Sequence, residues 1–201
     1  LQQLNCRVEL FEANSDIFDM LKSTKVDMVF NIAEGICGRG REAQIPAILN
    51  FFRIPCTGSD ETTLCIALDK AICKRLLSIS KIKTPKYQLI SSYPFKLNSS
   101  LSFPLIVKPN AEGSSKGISD IAIVEDVDKL KKVVYRNMDL YKEPLLVEEF
   151  IKGREFTVGI IGNGQDITVF PPMEIIYKDK DINNNVYSFN VKKDFKKYVD
   201  Y

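Results

Sequence analysis

The 201-residue sequence contains no histidine, and this absence excludes a large group of catalytic mechanisms. Serine and cysteine triads, and any reaction in which a histidine of the chain acts as the base, are ruled out. The sequence also lacks the pattern G-x-x-x-x-G-K-[ST], so a phosphate-binding loop of the Walker A type is excluded.

Cysteine is present but in none of the spacings that bind zinc. The five cysteines are odd in number and none forms a C-x-x-C pair. They predict free thiols in a reducing cytoplasm rather than disulfides or a metal site. No apolar run approaches the length of a membrane span, and the first residues show no charged-then-apolar signal pattern.

Neither sign of charge is in excess. The sequence has 28 basic and 26 acidic residues, for a net charge of +2, and 45% of its residues are hydrophobic. A balance this even provides no general field for nucleic acid or for a membrane surface, so the expected partner is a small molecule. The length and the hydrophobic content are sufficient for one or two globular domains.

The most informative segment covers residues 103–117. An apolar run ends at Lys108, a proline follows, and a loop rich in glycine and serine comes next. The backbone amides of Gly113, Ser114 and Ser115 are suited to cradle a phosphate, and Lys108 is suited to neutralise its charge. Taken alone, the segment is equally compatible with a plain glycine hairpin that carries a surface lysine.

Three acidic side chains lie on a pair of predicted strands over residues 145–161. Glu148 and Glu149 end the first strand, and Glu155 begins the second. A carboxylate at the end of a strand can accept from an exocyclic amine or bind two ribose hydroxyls. Ile151, between the acids, is suited to wall an adenine ring. A charged hairpin with solvated glutamates is the alternative, and it is the commoner fate of a glutamate.

Further candidates are two lysines on one helix face and a glutamate before a glycine turn. Lys70 and Lys74 lie one turn apart on a predicted helix over 61–80. Lys74 is expected to face solvent, whereas Lys70 borders the apolar stripe and can reach inward. Glu34 ends a predicted strand and precedes Gly35, where α/β domains place ligand contacts. An ordinary strand-to-helix loop is the alternative there.

The apolar patterns predict alternating strands and helices. The continuous apolar run over 26–32 indicates a buried parallel strand, and a helix over 42–52 follows it. Ser59 or Asp60 is expected to cap the helix over 61–80. The other predicted elements are strands over 104–108, 118–124, 145–150, 155–161, 167–170 and 173–177, a helix that begins at Asp126, a hairpin turn at 162–164, and a polar, asparagine-rich loop over 178–190 that is expected to be mobile.

In this order, the motifs resemble the ATP-grasp superfamily, and within it the branch of D-alanine–D-alanine ligases. The matching motifs are FNIAEG (30–35), REAQIPA (41–47), IPCTGSD (54–60), LDK (68–70), PLIVKP (104–109), EGSSKG (112–117) and VEEFIKGREFTV (147–158). Each motif is weak by itself, but their combination is specific, and the resemblance runs over nearly the whole chain.

The resemblance implies an α/β fold that is α+β in its ATP-grasp part. A truncated, doubly wound pre-ATP-grasp domain is expected over residues 1–60. The first ATP-grasp subdomain is expected over 61–147, and the start of a truncated second subdomain over 148–201.

Residue roles follow from the resemblance, motif by motif. The implied ATP-binding residues are Lys70, Phe103, Lys108, Gly113, Ser114, Ser115, Glu148, Glu149, Ile151 and Glu155. Lys70 and Lys108 would hold phosphates, and Glu155 would hold the ribose hydroxyls. Phe103, Glu148, Glu149 and Ile151 would surround the adenine. Lys192 and Ser114 are the implied catalytic residues. Lys192 would lie on a lid over the γ-phosphate, and its neighbour Lys193 is the alternative for this role. Glu34 would contact the substrate.

The implied activity is ATP-dependent ligation of a carboxylate to an amine. ATP converts the carboxylate to an acyl phosphate, the amine attacks, and ADP and phosphate leave, with Mg²⁺ and cations stabilising the transferring group. The expected cofactors are ATP and Mg²⁺, the substrates are amino acids or peptides, and the location is the cytoplasm. No nucleic acid or membrane partner is expected, and a homodimer is left open.

The sequence departs from the family at several points. The magnesium ligands are expected beyond Tyr201, so none is assigned within the chain. Leu1 is not a methionine and the pattern stops abruptly, which indicates a fragment that is inactive by itself. The segment from Asn31 to Gly35 replaces a His-Gly pair that is common in the cell-wall enzymes. Two alternatives therefore stay open: a ligase for another amino acid or peptide, and a non-catalytic nucleotide-binding module or split-protein fragment.

Overall fold

The computed structural model describes residues 1–113, 122–178 and 189–201. The chain forms two compact units. The first unit consists of Leu1–Ile82 together with Ala111–Gly113, and the second consists of Lys83–Asn110 and Ser114–Tyr201. The predicted division at residues 60 and 147 follows the motifs along the chain, and it stays a prediction.

The first unit is mainly helical. Its elements are 3-10 helices at Gln2–Leu4 and Arg41–Ala43, and the α-helices α1 (Ile17–Ser23), α2 (Gln44–Phe51), α3 (Glu61–Leu68) and α4 (Lys70–Ile79). Its core is a cluster of Ile17, Leu21 and Leu49, against which apolar side chains of the neighbouring segments pack. The predicted helix over 42–52 is confirmed, because Arg41–Ala43 and α2 run through it and turn Leu49 into the core.

The predicted buried strand over residues 26–32 is wrong. Val29 alone pairs, in a parallel bridge to Cys56, while Phe30 is 60% exposed and Ile32 is 83% exposed. A continuous apolar run makes a buried parallel strand only where neighbouring strands and helices cover it. Within the described residues of this unit, the only strand-like pairing of residues 26–32 is the bridge between Val29 and Cys56.

The predicted helix over 61–80 is two helices. Asp69 lies between α3 and α4 with ψ at 96°, outside the helical region, and its Oδ1 accepts from the amide of Ile72 at 3.0 Å. An aspartate that bonds to backbone amides favours a cap over a helix interior. Because α4 restarts there, its buried positions are Ala71 and Lys74. The expectation that Lys74 faces solvent is therefore wrong, since Lys74 is 8% exposed.

A four-stranded antiparallel sheet organises the second unit. Its strands are β1 (Tyr87–Ile90), β2 (Leu105–Pro109), β3 (Ala122–Val124) and β4 (Leu145–Glu149), in the order β1-β4-β2-β3. Helix α5 (Val127–Tyr141) begins at Asp126, whose carboxylate accepts from the amide of Lys129 at 2.8 Å. The predicted strands at 104–108 and 145–150 and the predicted start of the helix are confirmed.

Alternation along β2 and β4 assigns each side chain to one face of the sheet. Leu105 and Val107 of β2 form a core cluster with Leu130 and Val134 of α5. The alternate positions of β2 and β4 share the opposite face because Ile106 pairs with Glu148 and Lys108 pairs with Leu146. A lysine and a glutamate are thereby brought to one face of the sheet.

The remaining elements are five short strands and two short helices among the described residues. They are β5 (Glu155–Thr157), β6 (Ile160–Ile161), β7 (Thr168–Val169), β8 (Met173–Tyr177), α6 (Phe189–Lys193), α7 (Phe195–Tyr198) and β9 (Val199–Asp200). Strands β5, β8 and β9 form one sheet in the order β5-β8-β9, and β6 and β7 form a hairpin. The strand predicted over 155–161 is thus divided into β5 and β6. Among the described residues, no helix is long and apolar enough to cross a membrane.

The turn between β6 and β7 requires glycine at Gly162. Its φ is +100°, and a Cβ there would lie 1.8 Å from the carbonyl oxygen of Asp166. The hairpin predicted at this position is confirmed. Helices α6 and α7 were not predicted. Most of the asparagine-rich loop expected at 178–190, and the first part of the strand expected at 118–124, lie outside the described residues.

Candidate functional site

Lys108 is held by a buried carboxylate. Its Nζ donates to Oε1 of Glu148 at 2.5 Å, and the side chain of Glu148 is 8% exposed while that of Lys108 is 29% exposed. A carboxylate is costly to bury unless a charged partner accompanies it. The pair therefore orients the ammonium group on one face of the sheet, near the C-terminal end of the interior strand β2, where its unburied part can meet an anion.

The neighbouring carboxylate points to the other face of the sheet. Glu149 follows Glu148 on β4, and successive side chains of a strand alternate. Its Oε1 accepts from the amide of Ser102 at 3.0 Å. The structure therefore does not bring the carboxylates of Glu148 and Glu149 together.

The two apolar residues predicted for the adenine differ in their environment. Phe103 is partly buried and packs against the core cluster under α5. Ile151 is 66% exposed on the segment that follows β4, so it is available to a ligand.

Glu155 and Lys192 line one cleft in the second unit. The cleft has a volume of about 570 Å³ and is lined by Glu155, Phe156, Thr157, Met173, Ile175, Lys192 and Tyr201. Its apolar walls come from β5 and β8, which pair in antiparallel register. The hydroxyl of Tyr177 donates to Oε2 of Glu155. A carboxylate, an ammonium group and an apolar wall suit a hydroxylated, anionic ligand that carries a flat ring.

One wall of this cleft is braced by an ion pair. Arg154 donates to both carboxylate oxygens of Glu174 at 2.7 and 2.5 Å, and its guanidinium lies 4.9 Å from the ring centre of Phe156. The hydrogen bond from Arg154, aided by its charge, lowers the pKa of Glu174. Glu174 in turn raises the pKa of Arg154. Both groups thus stay charged over the physiological pH range.

In the first unit, Lys70 and Arg41 bind the segment at which the glycine-rich loop begins. Lys70 Nζ donates to the carbonyl oxygen of Glu112 at 2.6 Å. Arg41 is 5% exposed. It donates to the carbonyl oxygen of Ala111 at 2.8 Å and to Oε2 of Glu112 at 3.0 Å. Two cations thus fix Ala111 and Glu112, just before the glycine-rich loop.

Glycines allow the close approaches in this region. Gly35 has φ +74°, and a Cβ there would lie 2.1 Å from the carbonyl oxygen of Arg41. A Cβ on Gly113 would lie 2.3 Å from Oε1 of Glu42. Glu34 is half-buried beside the turn at Gly35. Ser114 and Ser115 lie outside the described residues.

Comparison with known proteins identifies the family. The family model for the D-ala D-ala ligase C-terminus matches residues 78–199, which is more than half of the chain. The chain belongs to the D-alanine–D-alanine ligase family. The resemblance drawn from the sequence motifs is thereby confirmed.

Individual relatives agree with this family. A D-alanine–D-alanine ligase of Aquifex aeolicus is 33% identical over 195 residues, which cover 96% of this chain and 61% of that protein. An uncharacterised protein of Sinorhizobium fredii is 36% identical over 147 residues, which cover 73% of this chain and 42% of that protein. The chain spans about half the length of the curated relatives that it matches, from 42% to 61%.

Solved structures give the same fold. A D-alanine–D-alanine ligase from Bacillus anthracis complexed with ATP superposes with a TM-score of 0.65 at 25% identity, over 90% of this chain and 60% of that chain. D-alanyl-alanine synthetase A from Vibrio cholerae superposes with a TM-score of 0.67 at 20% identity, over 87% of this chain and 51% of that chain, which shows the fold alone. The predicted α/β fold with an ATP-grasp part is confirmed.

Within this ligase-family chain, the predicted site residues are divided between the two units. Lys70, Gly113 and Glu34 belong to the first unit, whereas Lys108, Glu148 and Glu155 belong to the second. The convergence of Lys70 and Lys108 on one polyanion stays a prediction. Across the described residues, no group of three or more acidic, cysteine or histidine side chains is placed to bind a metal ion.

Three contributors to these sites had not been predicted from the sequence. Arg41, Glu112 and Tyr177 each bind a predicted site residue or the segment that carries one. Arg41 and Glu112 do occur in the motifs that resemble the family, but nothing in a motif indicates that an arginine is buried. Tyr177 lies 22 residues from Glu155, and no local pattern links the two.

Proposed function

We propose that this protein is an ATP-dependent carboxylate–amine ligase of the D-alanine–D-alanine ligase type. The observation that carries the proposal is the cleft of the second unit, which combines Glu155, Lys192 and apolar walls. The family relationship supports the proposal, as does the relative from Bacillus anthracis that was solved with ATP.

In this proposal, the second unit binds the nucleotide mainly through side chains that neighbouring groups already orient. Lys108 contacts a phosphate. Glu148 orients Lys108 through their hydrogen bond and also meets the edge of the adenine. Glu155 accepts from the ribose hydroxyls. Ile151 meets the adenine edge, and Phe103 lines the base pocket from the side of the core. The backbone at Glu149 completes the adenine edge.

The other residues act at the reacting groups. Lys70 contacts a phosphate from α4, and the loop of Gly113, Ser114 and Ser115 covers the transferring group. Glu34 orients the substrate. These roles agree with the hydrogen bond that joins Lys70 to the segment before the loop.

The proposed reaction has two steps. A substrate carboxylate oxygen takes the γ-phosphoryl group and ADP leaves, and then an amine attacks the acyl carbon and phosphate leaves. Lys192, and Ser114 by hydrogen bonding, stabilise negative charge on the transferring group. Mg²⁺ that accompanies ATP supplies further charge neutralisation. No residue of the described part of the chain is assigned to that ion.

A second candidate is a ligase of the same mechanism with another amino acid or a peptide as substrate. The chain has no histidine, so the segment from Asn31 to Gly35 lacks the His-Gly pair that is common in the cell-wall enzymes. This difference favours another substrate. A nucleotide-binding module without catalysis is the third. In each case we propose a cytoplasmic protein that acts on small molecules, because the near-neutral charge favours neither nucleic acid nor membrane.

The test is turnover by the full-length protein with ATP, Mg²⁺ and a panel of amino acids and short peptides that includes D-alanine. We expect release of ADP and phosphate that depends on the amine substrate, with one new amide formed for each phosphate. The 201-residue chain, assayed in parallel, is expected to be inactive because it spans about half of its relatives.

The neighbouring lysines provide a matched pair of variants for this assay. Lys192→Met should lower turnover by about 100-fold or more, the range seen when one transition-state contact is removed, whereas Lys193→Met should change it little. ATP binding without phosphate release across the whole panel would favour the non-catalytic module. Reversal of the two effects would assign the lid role to Lys193.

A further inference from the structure

The hydrogen bond between Tyr177 and Glu155 joins two strands at their side chains. Strands β5 and β8 are antiparallel, and Glu155 lies opposite Ile175. Alternation places Glu155, Ile175 and Tyr177 on one face of this sheet. The phenol hydroxyl of Tyr177 reaches diagonally across the pair and donates to Oε2 of Glu155.

The two partners are held in place to different extents. Tyr177 is on β8, the central strand of its sheet, and pairs with Val199 of β9, which is 2% exposed. Glu155 begins β5, an edge strand of three residues. A glutamate at such a position retains several rotamers, and fixing one of them costs conformational entropy. The anchored phenol is therefore the group that can fix the mobile carboxylate.

The geometry also leaves one oxygen of the carboxylate for a ligand. Tyr177 occupies Oε2, and Glu155 has no second hydrogen bond within the part of the chain that the structure describes. Glu155 lines the cleft, whereas Tyr177 is outside the group of lining residues. The phenol thus holds the carboxylate from outside the group of lining residues, and Oε1 is the oxygen that this bond leaves available.

We propose that Tyr177 is a positioning residue that presents Oε1 of Glu155 to the hydroxyls of the bound nucleotide. This inference rests on the proposed function, in which Glu155 binds the ribose. Tyr177 touches neither the ribose nor the reacting atoms, and its contribution is to hold the acceptor in one orientation before the ligand binds.

The test compares ATP with 2′,3′-dideoxy-ATP in binding to the full-length protein and its Tyr177→Phe variant. Phenylalanine retains the ring and removes only the hydroxyl. We expect ATP affinity to fall about 10-fold, the effect of losing one hydrogen bond to a charged group. The dideoxy nucleotide lacks the hydroxyls that Glu155 would bind, so its affinity should change less than about 2-fold.

Two controls accompany this comparison. Tyr135→Phe removes the hydroxyl of a tyrosine on α5 that is 63% exposed, and should leave both affinities unchanged. In a Glu155→Gln background, Tyr177→Phe should add less than about 2-fold, because partners in one hydrogen bond are not additive.

The outcomes separate this inference from the proposed function. If the wild-type protein binds ATP and Glu155→Gln weakens that binding, but Tyr177→Phe has no effect, the inference alone is wrong. Equal losses for ATP and the dideoxy nucleotide indicate a purely structural tyrosine and also overturn it. A wild-type protein that does not bind ATP overturns the proposed function, and the inference with it.

Discussion

Lys108 and Glu148 illustrate why some charged side chains of this protein are buried. The carboxylate is 8% exposed and takes a hydrogen bond from the ammonium group at 2.5 Å. Truncation of one member leaves the other charge in a poorly solvated place, whereas replacement of both by apolar groups can be neutral. Stability and nucleotide binding can therefore be separated at this pair.

Lys108→Met should reduce the free energy of unfolding by about 2–4 kcal/mol, because Glu148 loses its lysine. ATP affinity should fall by about 1.5–3 kcal/mol, the contribution of one charge-assisted contact. In the double variant Lys108→Met/Glu148→Leu, most of the stability should return while ATP affinity stays low. Urea unfolding and calorimetric titration measure the two quantities. Unchanged ATP affinity in both variants would remove Lys108 from the site.

Gly35 and Gly38 form a matched pair for testing the turn after Glu34. Both have positive φ, at +74° and +91°, but a Cβ on Gly35 would lie 2.1 Å from a backbone oxygen and one on Gly38 would meet nothing within 4 Å. Gly38→Ala should cost about 1 kcal/mol for the backbone conformation alone. Gly35→Ala should cost at least about 3 kcal/mol in urea unfolding. Equal costs would show that the turn can move aside.

Three helices of this chain begin at aspartate side chains that accept from backbone amides. Asp60, Asp69 and Asp126 cap α3, α4 and α5, with acceptor distances of 2.7, 3.0 and 2.8 Å. A cap satisfies an amide that the helix itself leaves without a partner. The cap at Asp69 is also the reason why one predicted helix is two.

The cap of α5 predicts a dependence of stability on pH. The hydrogen bond from the amide of Lys129 is the main cause that lowers the pKa of Asp126 below its ordinary value of 3.8. A carboxyl group with a lowered folded-state pKa stabilises the fold above its ordinary pKa, and this stabilisation is lost as the pH falls through the lowered value.

Asp126→Asn keeps an acceptor oxygen but does not titrate in this range. The stability difference between wild type and variant should therefore be constant near neutral pH and shrink as the pH falls past the ordinary pKa of 3.8 and through the lowered folded-state pKa. Thermal unfolding measured at closely spaced pH values tests this. A difference that does not change over this range would mean that the cap does not depend on ionisation.

The chain as a whole has two compact units, and the second includes most of the proposed nucleotide contacts. A ligand that binds only the folded state stabilises it in proportion to the logarithm of its concentration. ATP at 100 times its dissociation constant should therefore stabilise the folded protein by about 2.7 kcal/mol. Thermal unfolding with increasing ATP measures this effect, with Lys108→Met as a control that needs more ATP for the same shift. No shift at any ATP concentration would contradict nucleotide binding.

Much of the second unit could be predicted from the sequence. Short apolar runs predict β2 and β4, and Asp126 before an amphipathic segment predicts the start of α5. That Lys108 shares a face with Glu148 was not predicted, because it depends on the register in which β2 pairs with β4. The order of the motifs was sufficient to predict the family.

Local pattern was a poorer guide in the first unit. The run over 26–32 is apolar throughout, yet Phe30 and Ile32 are exposed, because burial depends on which segments cover a strand. Hydrophobic spacing also continues across Asp69, although its side chain ends one helix and begins the next.

The sequence by itself determined most strands of the second unit, the cap at Asp126 and the family, because these depend on residues close together in the chain. Only the tertiary structure decided that Arg41 is buried against Glu112 and that Tyr177 supports Glu155. These contacts join residues 71 and 22 positions apart. Their geometry follows from how strands pair and how loops return, and no local spacing of residue types encodes that.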